Sequence, residues 1–194
     1  MVKLNSDTMK IKILAIALLL FCAGGKIQAQ RVSLSTNLTD WANFGTANLE
    51  AGLSVSQHFS ILAGGHYNPW TFATKTDYDM INQQTTGYVG ARYWPWYVNS
   101  GWWIGAKAQY SDARRSGIWR PALEEMKSVG GGISFGYTIM LHKNLNLEFG
   151  AGAWGGRHLD YTLYECPKCM RVRKTGPRNF IAMDDVSISL MCVF

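Results

Sequence analysis

The sequence predicts an all-β fold, an eight-stranded antiparallel transmembrane β-barrel of the outer-membrane type with a filled lumen. Three observations carry this expectation. After the first 30 residues, apolar side chains alternate with small or polar ones along nearly the whole chain, the period of a strand with two unlike faces. Tight links alternate with long polar ones, as they do when short turns close one end of a barrel and loops the other. Aromatic residues gather near strand ends, where interfacial girdles sit. Composition agrees, since 47% of the 194 residues are hydrophobic and 13% aromatic, too many for a disordered binder. One apolar run alone approaches the length of a membrane helix, which excludes a polytopic helical protein.

That run opens the chain. Lys10 and Lys12 precede Ile13 to Cys22, Ala23-Gly24-Gly25 follows, and Ile27-Gln28-Ala29 offers a cleavage site. Residues 1–29 therefore read as a secretory signal peptide and 30–194 as the barrel domain, exported by the Sec route to the cell outer membrane. A helical anchor would need a longer apolar stretch, and Phe21 is too large to precede a lipidated cysteine. Loss of this segment removes Lys3, Lys10, Lys12, Lys26 and Asp7, so the net charge falls from +6 to +3 and nucleic acid is not an expected partner.

The strands follow in order. Val32, Leu34, Thr36 and Leu38 share one face, as do Ala47, Leu49, Ala51, Leu53 and Val55, and then Phe59, Ile61, Ala63, Gly65 and Tyr67. Val89, Ala91 and Tyr93 form the fourth outward set, and Trp102, Ile104, Ala106, Ala108 and Tyr110 the fifth. The sixth runs from Ile133 to Leu141, the seventh from Leu145 to Ala153 and the eighth from Val186 to Phe194. Tight turns are expected at Gln57-His58, Asn99-Ser100-Gly101 and His142-Lys143-Asn144. The opposite end should carry a short loop from Asp40 to Thr46 and long loops at 72–85, 111–128 and 160–182. Within the second of these, Pro121 and the helix formers Ala122 to Met126 suggest a short helical cap displaying Trp119. Trp94, Trp96, Tyr97, Trp102 and Trp103 mark one rim, and Tyr67, Trp70, Phe72 and Tyr110 the other. Apolar residues at every second position back from Phe194 suit recognition by the outer-membrane barrel assembly machinery. A soluble sandwich or lipocalin-like barrel shares the alternation, but a second face of Gly and Ser with isolated charges suits a narrow lumen better.

Parity places Glu50, Arg92, Lys107 and Glu148 inside the barrel, two acids against two bases, with Arg92 and Lys107 nearly opposite each other. An eight-stranded lumen is narrow enough for such side chains to meet, and an unpaired charge there would be costly, so a structural ion-pair network is expected. His66 should face the lumen beside Glu50. At the outer rim, His158 and Asp160 share a face by spacing, with Ser111 and Ser116 on another loop and no serine at a matching position, so no catalytic residues are assigned.

Cys166 and Cys169 form the lone Cys-x-x-Cys pair. In an oxidising envelope a loop disulfide is the expected state, free thiols and zinc being the alternatives; zinc would need two further ligands. Cys192, on the outward face of the last strand, is expected to lack a partner. No metal or cofactor is expected. Lys168, Arg171, Arg173, Lys174 and Arg178 make the last outer loop basic, either as a solvated face or as a contact for lipopolysaccharide phosphates or another polyanion.

The runs His66-Tyr67-Asn68-Pro69-Trp70-Thr71-Phe72 and Ala91-Arg92-Tyr93-Trp94, with Leu159-Asp160-Tyr161 and Tyr164-Glu165-Cys166-Pro167-Lys168-Cys169, resemble a family of small outer-membrane proteins known as domain of unknown function 3575 (DUF3575). The resemblance spans nearly all of 30–194. It implies a surface barrel of no established activity, some members being encoded near fimbrial assembly genes, and hence a surface or fimbrial protein partner. The loop from Ser111 to Lys127 departs from the family, and no C-terminal peptidoglycan-binding extension is seen, so anchoring through one is not expected. The function expected is that of a non-enzymatic surface or envelope-assembly component in contact with outer-membrane lipid and lipopolysaccharide. A lipid-modifying barrel enzyme at the outer rim and a small-solute channel are the alternatives.

Overall fold

The computed structural model describes residues 32–43, 45–72, 80–116, 122–166, 170–183 and 186–194. The expected signal peptide, Trp119, Pro121, Lys168 and Cys169 lie outside them. The order is β1 (Val32–Asn37), α1 (Leu38–Ala42), β2 (Ala47–Ser54), β3 (Phe59–Phe72), β4 (Met80–Tyr93), β5 (Gly101–Ser116), β6 (Leu123–His142), β7 (Leu145–Tyr164), β8 (Val172–Thr175), β9 (Arg178–Ala182) and β10 (Ser187–Val193).

Strands β1 to β7 pair in sequence, all antiparallel, and β10 closes the ring by pairing both β7 and β1, giving a closed barrel of eight strands. Two routes lead round the wall from Asn37. One passes through Asn48, His66, Thr86, Ser111 and Ser128 to His158; the other passes through Ser189 to Glu148, ten residues lower on β7. That stagger tilts the strands and sets an interior that side chains can fill.

Outward positions form an apolar belt. Ile104, Ile133, Phe135 and Val89 are all more than half exposed, and Trp102 to Tyr110 on β5 makes nine residues of it, the length a tilted strand needs to cross hydrocarbon. Immediately above, the outward residues become Asp112 and Arg114 on β5, Lys127 and Glu125 on β6, and Arg157 and Asp160 on β7.

Several expectations are corrected. The links at 72–85, 111–128 and 160–182 are mostly strand: β3 and β4 reach Phe72 and Met80, β5 and β6 reach Ser116 and Leu123, and β7 reaches Tyr164. Backbone pairing continues past the belt because Ala113 and Tyr161 still pack inside, and Ile81 and Leu123 are buried near the tips. Leu123 to Met126, expected in a helical cap, belong to β6. The only described helix is α1, in the link expected to be a loop, where Asn37 caps it by accepting from Thr39 N–H at 3.0 Å. Beyond β10, β8 and β9 continue along β7 as broken pieces of the eighth wall. No described helix is long and apolar enough to cross a membrane, a statement that does not bear on strands.

Trp94 and Trp103 also depart from expectation. They turn inward, 0% and 4% exposed, and with Val98 seal the short-turn end of the lumen. Trp94 Nε1–H donates to Ser60 Oγ at 3.0 Å, which satisfies the indole that an interfacial position would have left to water. Glycine makes the room: a Cβ on Gly136 would meet the Trp103 ring at 2.5 Å, and one on Gly64 would meet Tyr88 Oη at 2.5 Å.

Candidate functional site

The barrel interior is built around Arg92. Its Nη2 lies 2.9 Å from Glu50 Oε1, and its two terminal nitrogens each approach a different Glu148 oxygen at 3.3 Å. Tyr88 Oη donates to Glu50 Oε2 at 3.0 Å, and Thr138 Oγ1 donates to Glu148 Oε2 at 3.2 Å. The guanidinium lies over the Trp103 ring, 4.3 Å from its centroid. One base thus bridges carboxylates from β2 and β7 across the lumen, on the floor made by the inward indoles. Such a pair holds only when its remaining acceptor positions are hydrogen-bonded, as these are by Tyr88 and Thr138.

Lys107 lines the same cavity but does not face Arg92. Arg92 is opposite Gly105 and Lys107 is opposite Gly90, so the two bases are two residues out of register instead of facing one another. Lys107 Nζ lies over the ring of Tyr88, the tyrosine that binds Glu50, at 5.2 Å from its centroid. His66 is likewise one step removed from its expected place. It faces Asn48, while Glu50 faces Gly64, and its Nδ1 lies 2.7 Å from Asp40 Oδ2 of α1. The helix thereby closes over a polar cavity of about 50 Å³ lined in part by Asn37, Asn48, Glu50, His66 and Lys107. At roughly 10–15 Å³ per water, that is room for a few solvent molecules.

Above the cavity runs a ring of inward polar residues. Thr86 and Ser111 share a hydrogen bond at 2.9 Å, and Ser128 Oγ lies 2.6 Å from His158 Nδ1. The last contact overturns the expectation that no serine matches His158. A β-bulge between Lys127 and Ser128 sets Lys127 against Asp160 and Ser128 against His158. One extra residue therefore separates the spacing-two pair, so His158 points in and Asp160 out. Ser128 is 1% and His158 5% exposed, with the imidazole stacked on Phe180 of β9 at 4.2 Å. His158 lies above the apolar belt, where burial first and the Arg178 guanidinium second hold its pKa below 6.5, against the opposing pull of Glu124. Ser116, the other rim serine, is also buried.

The basic residues of the last link lie on the outer extension. Arg171, Arg173, Lys174 and Arg178 are exposed, with Arg173 and Lys174 on β8 and Arg178 at the head of β9 over the Tyr161 ring at 4.3 Å. Cys166 is disulfide-bonded; Cys169 is outside the described residues. Cys192, expected to lack a partner, is disulfide-bonded as well, and it is buried to 2% exposure. It cannot be joined to Cys166, because Cys192 pairs with Leu145 at one end of β7 and Cys166 follows the other end. Among the described residues no three His, Cys, Asp or Glu side chains gather as a metal site.

Parity places Glu50, Arg92 and Glu148 on the inner face but gives neither the register of Lys107 and His66 nor the inward turn of Trp94 and Trp103, and the Ser128–His158 contact is hidden by the bulge, which leaves no composition signal. Comparison with curated proteins finds no match, and neither does comparison with solved structures. A family model described as a protein of unknown function matches residues 15–194, and the chain belongs to that family, DUF3575.

Proposed function

We propose that this protein is an outer-membrane β-barrel acting as a non-enzymatic surface or envelope-assembly component, with its basic outer segment turned to the exterior. The observation that carries the reading is the reversal of outward polarity along single strands: Ile104, Ala106, Ala108 and Tyr110 are followed by Asp112 and Arg114 on β5. A belt of this height with charges beginning at its upper margin suits lipid as the surrounding medium. The packed lumen argues against a channel, because Arg92, Trp94 and Trp103 fill the short-turn end and Asn68, Ala113 and Tyr161 are buried at the other. Membrane fractionation tests the reading. The folded protein should sediment with outer membranes, resist a urea wash and shift in gel mobility on heating; recovery as a soluble periplasmic monomer without detergent would overturn it.

The 2.6 Å contact between Ser128 and His158 favours a second reading, a lipid-modifying barrel enzyme. Burial of both groups beneath Phe180 weighs against it, since a nucleophile must reach its substrate. Mass profiles of lipid A from cells making the wild type and Ser128→Ala decide between them. Identical profiles support the non-enzymatic reading, and an acylation change present only with the wild type supports the enzyme.

A further inference from the structure

Around the ring, β1 to β7 and β10 each have a partner on both sides. Two sheet edges nonetheless stand without a second strand among the described residues, one on β8 and β9 and the other on β3 beyond Tyr67, the last residue paired with β2. The two are built differently. On β3, Asn68 Oδ1 accepts from Trp70 N–H at 3.0 Å, Pro69 has no N–H to offer, and the Trp70 indole turns to Gly45 O at 3.5 Å. Local groups thus use up that edge, a known means of blunting an open strand.

The β8–β9 edge is bare by comparison. Val172 to Thr175 are all exposed, Val172 to 54%, and the ladder to β7 occupies only one side of them. Position matters as well as exposure. β8 pairs with Thr162 to Tyr164, and Arg178 and Asn179 at the head of β9 pair with His158 and Arg157, so this part of the edge stands clear of the apolar belt, whereas Phe180 to Ala182 run alongside it. From Met170 to Ile181 the chain carries Arg171, Arg173, Lys174 and Arg178 and no acid. Glu165 comes no closer to Arg171 than 3.9 Å, with both side chains half exposed or more, and leaves the positive charge largely uncompensated.

We infer that the β8–β9 edge is a strand-addition site for an extended acidic polypeptide segment of a partner protein. An open edge supplies main-chain donors and acceptors for one more strand, and its charge selects which strand. Cationic residues along an edge keep identical edges apart, which disfavours a second copy of this chain. Carboxylates at alternating positions of an incoming strand would share one face of the ladder and lie beside the bases on that face, and opposite charges across a ladder stabilise the pair. The inference deepens the surface-component reading and rests on it for exposure outside the cell, but its chemistry can be tested in detergent, apart from the question of location.

The probe is a nine-residue peptide of alternating glutamate and valine, added to the refolded full-length protein in detergent and followed by fluorescence anisotropy and amide hydrogen exchange. Three controls are a peptide with lysine for glutamate, the glutamate peptide N-methylated at alternate backbone positions, and lipid A in mixed micelles. The glutamate peptide should bind at least tenfold tighter than either altered peptide and should slow exchange of the amides from Val172 to Thr175. The charge-reversed variant Arg173→Glu/Lys174→Glu, shown by heat-modifiable gel mobility to be folded, should prefer the lysine peptide. Equal binding of methylated and unmodified peptides would mean that charge alone acts and would overturn strand addition. So would slowed exchange with lipid A but not with peptide, which would assign the bases to phosphate head groups, or no binding at all. Any of these leaves the membrane fractionation result untouched.

Discussion

Below the row of Tyr110, Val129 and Arg157 the wall is apolar outside and polar inside; above it the same strands are polar outside and pack rings inside. On β7, Leu147, Phe149, Ala151 and Ala153 face out around inward Glu148, whereas farther along Asp160 faces out and Tyr161 is buried. On β5 the period of two runs unbroken from Trp102 to Ala113 and only the character of the outward residues changes, whereas on β7 the bulge at the margin also shifts the parity. A strand does not specify its medium by being amphipathic; the medium is specified by which of its faces the rest of the chain fills. In the lower half the filling is an ion pair on indoles, and in the upper half it is an aromatic stack with the buried His158 imidazole.

Mutations can break that contrast. The largest effect is expected at the plug. Arg92→Met removes the base between Glu50 and Glu148 and should destabilise the barrel by about 3–5 kcal/mol, the usual penalty for leaving a buried charge without its partner. Adding Glu148→Gln to it should recover part of the loss, and denaturant titration of refolded protein would read both. Additive losses in the double variant would count against the network.

Next comes the belt. Ile104→Arg, on an outward residue in the middle of the apolar band, should cost about 2–4 kcal/mol in a bilayer, while Asp112→Arg, eight residues up the same strand, should stay within about 0.5 kcal/mol. Refolding into vesicles measures the difference. Equal tolerance at the two positions would remove the argument for lipid.

The smallest effect separates the upper region from the lower by pH. His158 takes up its proton near pH 6.5 when unfolded but only at lower pH in the folded extension. The unfolded state therefore holds more protons between those values, so this contribution is present above pH 6.5 and fades as the pH falls below it. The protection factors of the amides from Arg178 to Ala182, exchange rates taken relative to the intrinsic rate at each pH, should fall between pH 7 and pH 5 in the wild type and change less in His158→Gln. Protection factors unaltered over that range would show that the imidazole does not hold β9.

Much of the lower barrel was legible because its two faces differ most. Alternation located all the wall strands there, and parity brought Glu50, Arg92 and Glu148 to one side of the sheet. Tryptophan misled, since Trp94 and Trp103 read as interfacial residues until glycines at 136 and 150 are seen to admit an indole. The extension looks like loop in the sequence because Asn82, Gln83 and Gln84, or Arg114 and Arg115, show no apolar contrast, although their backbones pair residue by residue. Register beyond a bulge is not written in spacing, which is why His158 and Asp160 were assigned one face.

The ten-residue stagger has a consequence for how the molecule is assembled. β6 and β7 meet over 19 residue pairs across a two-residue turn, whereas β10 meets β1 over only five and β7 over six. The partners at the β1–β10 joint are about 150 residues apart in sequence, so bringing them together carries a loop-closure penalty that no hairpin in the chain bears. The hairpins can form early from neighbours, and the short joint closes last. β1 is thus held by short ladders on both sides, five pairs to β10 and four to β2, so the ring has its fewest backbone pairs around Ser33 to Asn37.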